Sequence, residues 1–254
     1  MVHRGVASPL LARERRGLRL GAGRPVRTLA TVLAGLLAVT ALVLVAGQLA
    51  GAQGSEAPRC ERFASASHQR AAHPSGRGRD VLVIGDSWSV GLGLRHPARS
   101  WPTRLPGRVH VAGFSGSGFS ATASSCGRHV DYARRAGGAL AVGPDLVVIQ
   151  GGLNDFDQPT TAVRSGFAQL MRVLQPPTAA YRVVVVGPAA APSRAAQVPR
   201  IDRLLRRLCA EYGVGYVGTA DLSLPYLPDR LHLTPAGHRL FGDAVATRIA
   251  RLPG

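Results

Sequence analysis

The chain has 254 residues, 46% of them hydrophobic and only 18% charged, which gives a sizeable core and excludes a disordered polyelectrolyte. Its formal charge of +17 comes entirely from Arg, and the absence of any Lys excludes a phosphate loop of the GxxxxGK type. No aromatic-rich basic stripe, zinc spacing or recognised module accompanies that charge, so no nucleic-acid partner is expected and the basic balance reads as a solvated face.

The first elements are N-terminal to the domain. Residues 1–27 hold seven Arg against a single acid, Glu14. Residues 28–52 follow without a charge, TLATVLAGLLAVTALVLVAGQLAGA. Twenty-five residues suffice to span a bilayer core of about 30 Å at about 1.5 Å per residue. Positive charge on the N-terminal side alone predicts a cytoplasmic N-terminus and an extracytoplasmic domain. The segment is expected to be an uncleaved signal-anchor helix, or else a cleaved signal with a small-residue site at Ala50-Gly51-Ala52. Residues 53–79, rich in Gly, Pro, Ser and Arg, read as a linker from membrane to domain.

From residue 80 to 254, strand-like runs alternate with helical patterns. Val81–Gly85 is the first strand, a four-residue apolar run that breaks at Gly85-Asp86-Ser87. The stretch from Val90 to Leu105 is helical in parts, interrupted at Pro97 and Pro102. Val109–Ala112 is a second strand, and Gly113–Cys126 a loop of small residues. A short helix is expected over Tyr132–Leu140. Leu146–Gln150 is a third strand, followed by Gly152-Leu153-Asn154-Asp155. A helix spans Thr161–Leu174, a fourth strand Arg182–Gly187, a helix Pro199–Tyr212 and a fifth strand Val214–Gly218. Asp229-Arg230-Leu231-His232 precedes a last helix from Pro235 to Leu252, with Thr234 as its cap. Strands separated by helices predict a parallel sheet covered on both faces, an α/β/α sandwich.

Of the three cysteines, Cys209 sits among apolar positions of a helix and reads as a buried free thiol. Cys60 and Cys126 are the candidate disulfide pair if the domain is exported. No CxxC occurs, which argues against zinc or thioredoxin chemistry.

Gly85-Asp86-Ser87, the glycine loop, Gly152-x-Asn154-Asp155 and Asp229-x-x-His232, in that order, resemble the SGNH (GDSL-type) hydrolase family from about Asp80 to the C-terminus. The resemblance implies a flavodoxin-like three-layer fold, with a mostly parallel five-stranded sheet in the order 2-1-3-4-5. It also implies an oxyanion hole built from the backbone N–H of Ser87, the backbone N–H of a loop glycine and the side-chain amide of Asn154. Gly116 aligns with the family glycine, and Gly118 is two residues away in the same Gly-Ser-Gly repeat. The family often has Asn where this chain has Val111.

The chemistry fits a serine esterase. A serine hydroxyl needs a base to take its proton. Imidazole is the side chain suited to that task, which makes His232 the candidate base, and Asp229 can hold its tautomer from three residues away. The candidate catalytic residues are therefore Ser87, Asp229 and His232, with neither metal nor cofactor called for. Asp155 is expected to fix its loop, Trp88 to wall the acyl pocket or fill the core, and His238 to be a packing or surface residue. The expected activity is ester hydrolysis through an acyl-enzyme, on a small-molecule, lipid or glycan ester, by an enzyme held at the membrane through its N-terminal helix or secreted. The alternatives are an O-acyltransferase using the same residues and a catalytically silent glycan- or lipid-binding module.

Overall fold

Runs of β-branched residues bounded by glycine become the strands of a single sheet, because branched side chains suit an extended, buried backbone. The computed structural model describes residues 24–176 and 179–253, with side chains described for residues 35–42 and from residue 56 onward. Helix α1 (Arg24–Ala71) leads to a two-residue strand β1 (Ser75–Gly76) and then to β2 (Asp80–Gly85). A short helix α2 (Ser87–Val90) precedes β3 (Arg108–Gly113), with 3-10 turns at Pro97–Arg99 and Trp101–Arg104 between them. Then come α3 (Tyr132–Ala139), β4 (Leu146–Gln150), α4 (Thr160–Leu174), β5 (Arg182–Val186), α5 (Val198–Glu211), β6 (Gly215–Val217) and α6 (Pro235–Ala250).

The sheet order is β1-β3-β2-β4-β5-β6. The five strands from β2 to β6 pair in parallel, in the 2-1-3-4-5 order implied by the resemblance. β1 is a sixth strand, antiparallel at the edge beside β3.

Alternation along β2 sends Val81 and Val83 to one face, Leu82 and Ile84 to the other. The first face packs on Trp88, Trp101 and the α6 residues Phe241, Val245 and Ile249. The second packs on Tyr132, Val163, Phe167, Leu170, Ile201, Leu204 and Leu208 from α3, α4 and α5. Each such aliphatic or aromatic side chain contributes about 1.5–3 kcal/mol on burial. Cys209 lies in the second cluster as a free, buried thiol, its pKa pushed up to about 12 by burial.

Chain contacts group the protein into two units, residues 1–53 and 54–254. Among the described residues, no helix is long and apolar enough to cross a membrane. The expected spanning segment, residues 28–52, has most of its side chains outside the described residues.

The linker expected over residues 53–79 is corrected by the structure. The second unit begins at Gly54, α1 continues to Ala71, and its C-terminal part packs on the sheet domain. Cys60 is disulfide-bonded to Cys126, with a Cα–Cα distance of 5.4 Å. The Phe63 ring meets Phe114 edge-on at 6.3 Å between centroids, and Ser67 Oγ donates to the Gly113 carbonyl at 2.5 Å. Arg70 is buried beside Ser100 and donates to the His73 carbonyl at 2.8 Å. Small polar residues resemble a linker in composition, but one covalent bond and two aromatic rings fix this segment in place.

Candidate active site

The site is assembled at the carboxyl ends of the parallel strands, where open α/β sheets place their ligands. β2 ends at Gly85, where a Cβ would meet Ser89 Oγ at 2.1 Å. Asp86 then caps α2, its carboxylate accepting the Trp88 N–H at 2.9 Å and, more weakly, the Gln150 amide at 3.4 Å. Burial raises the Asp86 pKa to about 6, against the lowering effect of those bonds. The cap makes Ser87 the first helical residue, so its N–H is one of the donors a helix leaves unpaired.

His232 arrives on the loop between β6 and α6. Arg230 adopts a left-handed backbone, with φ of 58°, which folds the four-residue turn back on itself. Asp229 Oδ1 accepts the N–H groups of Leu231 at 3.0 Å and His232 at 2.9 Å. Asp229 Oδ2 accepts from His232 Nδ1 at 2.6 Å. A carboxylate only accepts, so Nδ1 carries the proton and Nε2 is left as an acceptor. Nε2 lies 3.0 Å from Ser87 Oγ. Burial raises the Asp229 pKa, but the bonds from the His232 ring and the two backbone N–H groups outweigh it, leaving the carboxyl below its ordinary range. Thr234 caps α6 through the Gly237 N–H at 3.1 Å, with Pro235 in the first turn.

Trp88 joins the two halves. It is buried, stacks edge-on against Phe241 at 5.1 Å, and its Nε1–H donates to the Leu231 carbonyl at 3.1 Å. It belongs to the core and braces the histidine turn from below. His238 is also buried, accepting the Trp101 N–H at Nδ1, and burial lowers its pKa to about 4.

The other donors come from the loops after β3 and β4. Gly116 has φ of +83° and open space where a Cβ would stand, with Ser124 Oγ the nearest atom at 3.7 Å. Gly118 is packed instead: a Cβ there would meet Asp155 Oδ2 at 2.5 Å. Gly116 lines the same cavity as Ser87, Asn154 and His232, and Gly118 lies beneath it. Asn154 spends one amide hydrogen on the Ser117 carbonyl at 2.9 Å, which leaves one for a ligand. The backbone N–H groups of Ser87 and Gly116 donate to no protein acceptor among the described residues. Asp155 is fully buried and accepts the N–H groups of Phe119 at 3.0 Å and Ser120 at 2.8 Å, fixing one loop to the other.

Several residues that support the site carry no motif. Arg135, from α3, donates to the carbonyls of Gly85, Ala112 and Val130 and to Ser117 Oγ, so a single guanidinium ties three of the site's segments. Burial lowers its pKa to about 10. Arg200 does the same for the Asn154 loop, bonding the carbonyls of Phe156 at 2.9 Å and Gln158 at 3.2 Å. Arg59 and Phe63 of α1 and Arg194 wall the cavity, which encloses about 290 Å³. Their only sequence signal is residue type, since each acts on a segment distant in the chain. A second cavity of about 530 Å³ opens at the amino ends of β5 and β6, lined by Tyr181, Val214 and Leu252, away from these side chains.

The sequence matches the model of the GDSL-like Lipase/Acylhydrolase family over residues 83–240, more than half of the chain. The chain belongs to that family. It is an ester-hydrolysing serine hydrolase of the SGNH type. No curated protein matches the sequence. Among solved structures, the hydrolase is similar to a protein assigned as an arylesterase from Agrobacterium tumefaciens str. C58, with 26% identity and a TM-score of 0.57, covering 69% of this chain and 100% of that one. Est24, a carbohydrate acetylesterase from Sinorhizobium meliloti, gives 22% identity and a TM-score of 0.56, covering 68% of this chain and 99% of that one. The inhibitor-bound aryl esterase of M. smegmatis gives 19% identity and a TM-score of 0.56, covering 69% and 100%. These last two likenesses concern the fold.

Proposed function

We propose that Ser87, His232 and Asp229 are the nucleophile, base and orienting acid of an esterase for short acyl groups that works outside the cytoplasm. The observation that carries this reading is the unbroken line from Asp229 Oδ2 to His232 Nδ1 at 2.6 Å and from His232 Nε2 to Ser87 Oγ at 3.0 Å, opening on the cavity. In the proposed reaction, Ser87 Oγ attacks the acyl carbonyl carbon while His232 Nε2 takes its proton. The developing oxyanion is received by the N–H groups of Ser87 and Gly116 and the free hydrogen of Asn154 Nδ2. Asp229 stabilises the imidazolium, which then protonates the departing alcohol. Water, deprotonated by His232, releases the acid and restores Ser87.

A cavity of about 290 Å³ lies at the small end of ligand sites and favours acetyl and similar groups over long chains. The test is the hydrolysis of p-nitrophenyl acetate against butyrate, octanoate and palmitate. Acetate turns over fastest, and Asn154→Ala lowers kcat by about 10²–10³. A preference for palmitate contradicts the short-chain reading.

Export is supported by the basic run before 25 uncharged residues, by the Cys60–Cys126 disulfide, and by the exposure of Leu36, Leu37, Val39 and Leu42. A signal-anchor keeps residues 1–52 in the membrane fraction, whereas a cleaved signal leaves a mature N-terminus near Gln53.

A further inference from the structure

We propose that the substrate ester carries an anionic group, a carboxylate or a phosphate, close to its scissile bond, and that Arg59 and Arg194 receive it. This rests on the esterase reading above and names the substrate class of the same site.

The cavity beside Ser87 and His232 is rich in donors. The Arg194 guanidinium sits over the Phe156 ring, its Cζ 3.6 Å from the centroid. Stacking holds the planar group by its face; Nη1 bonds the Ser193 carbonyl at 3.4 Å, and the remaining N–H groups are left for a ligand. Among the described residues, no carboxylate pairs with it. Arg59 comes from α1, upstream of the family match that begins at residue 83. Its Nη2 bonds Glu56 and Ser125 at 2.5 Å each, while its Nε finds no protein partner. Ser115 lines the same cavity, and its buried Oγ is likewise without a partner.

Glu56 pairs with Arg59 at 2.5 Å, so Arg194 is the cavity guanidinium without a carboxylate partner among the described residues. Asp157 is the acidic residue lining the cavity; it is exposed and accepts from its neighbour Gln158 at 2.7 Å. Beyond residue 27 the chain carries 24 Arg against 13 acidic residues, a balance that favours anionic over cationic ligands for the molecule as a whole. Planar guanidinium groups match carboxylate and phosphate oxygens in pairs, so both anions share the recognising chemistry.

The experiment compares kcat/KM for 4-acetoxybenzoate and for 4-acetoxyphenyl phosphate with that for the neutral methyl 4-acetoxybenzoate. The proposal expects both, or one, of the anionic esters to exceed the neutral ester by about tenfold. Which one does so identifies the anion. In Arg194→Ala and Arg59→Gln the anionic-to-neutral ratio falls about tenfold, and Arg194→Glu inverts it. Thermal unfolding confirms that each variant is folded. A wild-type ratio near one, or a ratio that Arg194→Glu leaves unmoved, overturns the proposal.

Binding separates this result from the esterase reading. Calorimetry on Ser87→Ala protein compares 4-acetamidobenzoate and 4-acetamidophenyl phosphate with methyl 4-acetamidobenzoate. Preference for either anion, lost in Ser87→Ala/Arg194→Glu, sustains the anion site even where no ester is hydrolysed. Equal affinity for all three, alongside Ser87-dependent hydrolysis, removes the anion site and leaves the esterase standing.

Discussion

At the scale of single residues, the turn Asp229–His232 explains how the proposed base and its proposed orienting acid sit so close in sequence. A left-handed Arg230 and two backbone N–H bonds to Asp229 hold the turn before the imidazole adds its own. Asp229→Asn leaves a side chain of the same shape that no longer demands a proton on Nδ1. It is expected to lower kcat on p-nitrophenyl acetate by about 10³–10⁴ with little change in melting temperature. The two glycines of the loop after β3 separate by the same logic. Gly116→Ala meets no close neighbour but forces a left-handed backbone beside the proposed oxyanion position, so kcat is expected to fall more than stability. Gly118→Ala drives a methyl against buried Asp155, so stability falls, as paired kinetics and thermal melts can check.

His238 predicts a pH effect. Its folded pKa of about 4 lies below the ordinary 6.5, so the unfolded chain binds the extra proton between those values. Its contribution is whole above about pH 6.5 and is lost as the pH falls through 4, amounting to about 3 kcal/mol. Asp86 and Asp155, each raised to about 6 by burial, act in the opposite direction over the same range. They cancel in the difference between wild type and His238→Gln. That difference in unfolding free energy is expected to shrink from pH 7 to pH 4.5, and a difference independent of pH removes this account of His238.

At the scale of elements, the strands and the later helices are legible in the sequence because their physics is local. Val-rich runs bounded by glycine give β2, β4 and β5, and apolar spacing gives α4 and α5. The candidates Ser87, Asn154 and His232, which the structure brings to one cavity, stand out in the sequence because each follows a strand or precedes a capped helix. The docking of α1 is not. Nothing in Gly54–Ala71 announces Phe63 against Phe114, and composition alone makes it a linker. Arg135 and Arg200 are invisible for a related reason: their partners are backbone carbonyls 5 to 50 residues away, a relation without any sequence signature. If α1 is held as observed, Cys60→Ser with Cys126→Ser opens a loop of 66 residues and costs about 2–4 kcal/mol in chemical denaturation. An unchanged midpoint under oxidising conditions contradicts a tethered α1.

At the scale of the whole molecule, the fold does what no single segment can. Loops after β2, β3, β4 and β6 converge on one rim of the sheet because parallel strands all end there. The helix upstream of the family-matched region, outside residues 83–240, adds Arg59 and Phe63 to the wall of the cavity. Ser87 is the proposed activated nucleophile of this site. A fluorophosphonate probe, which reacts with an activated serine whatever the natural substrate, tests that role directly once the adduct is mapped by mass spectrometry. One adduct is expected, on Ser87, absent from Ser87→Ala and strongly slowed in His232→Ala. A folded protein that takes no label at Ser87, or whose label persists in Ser87→Ala, contradicts that role.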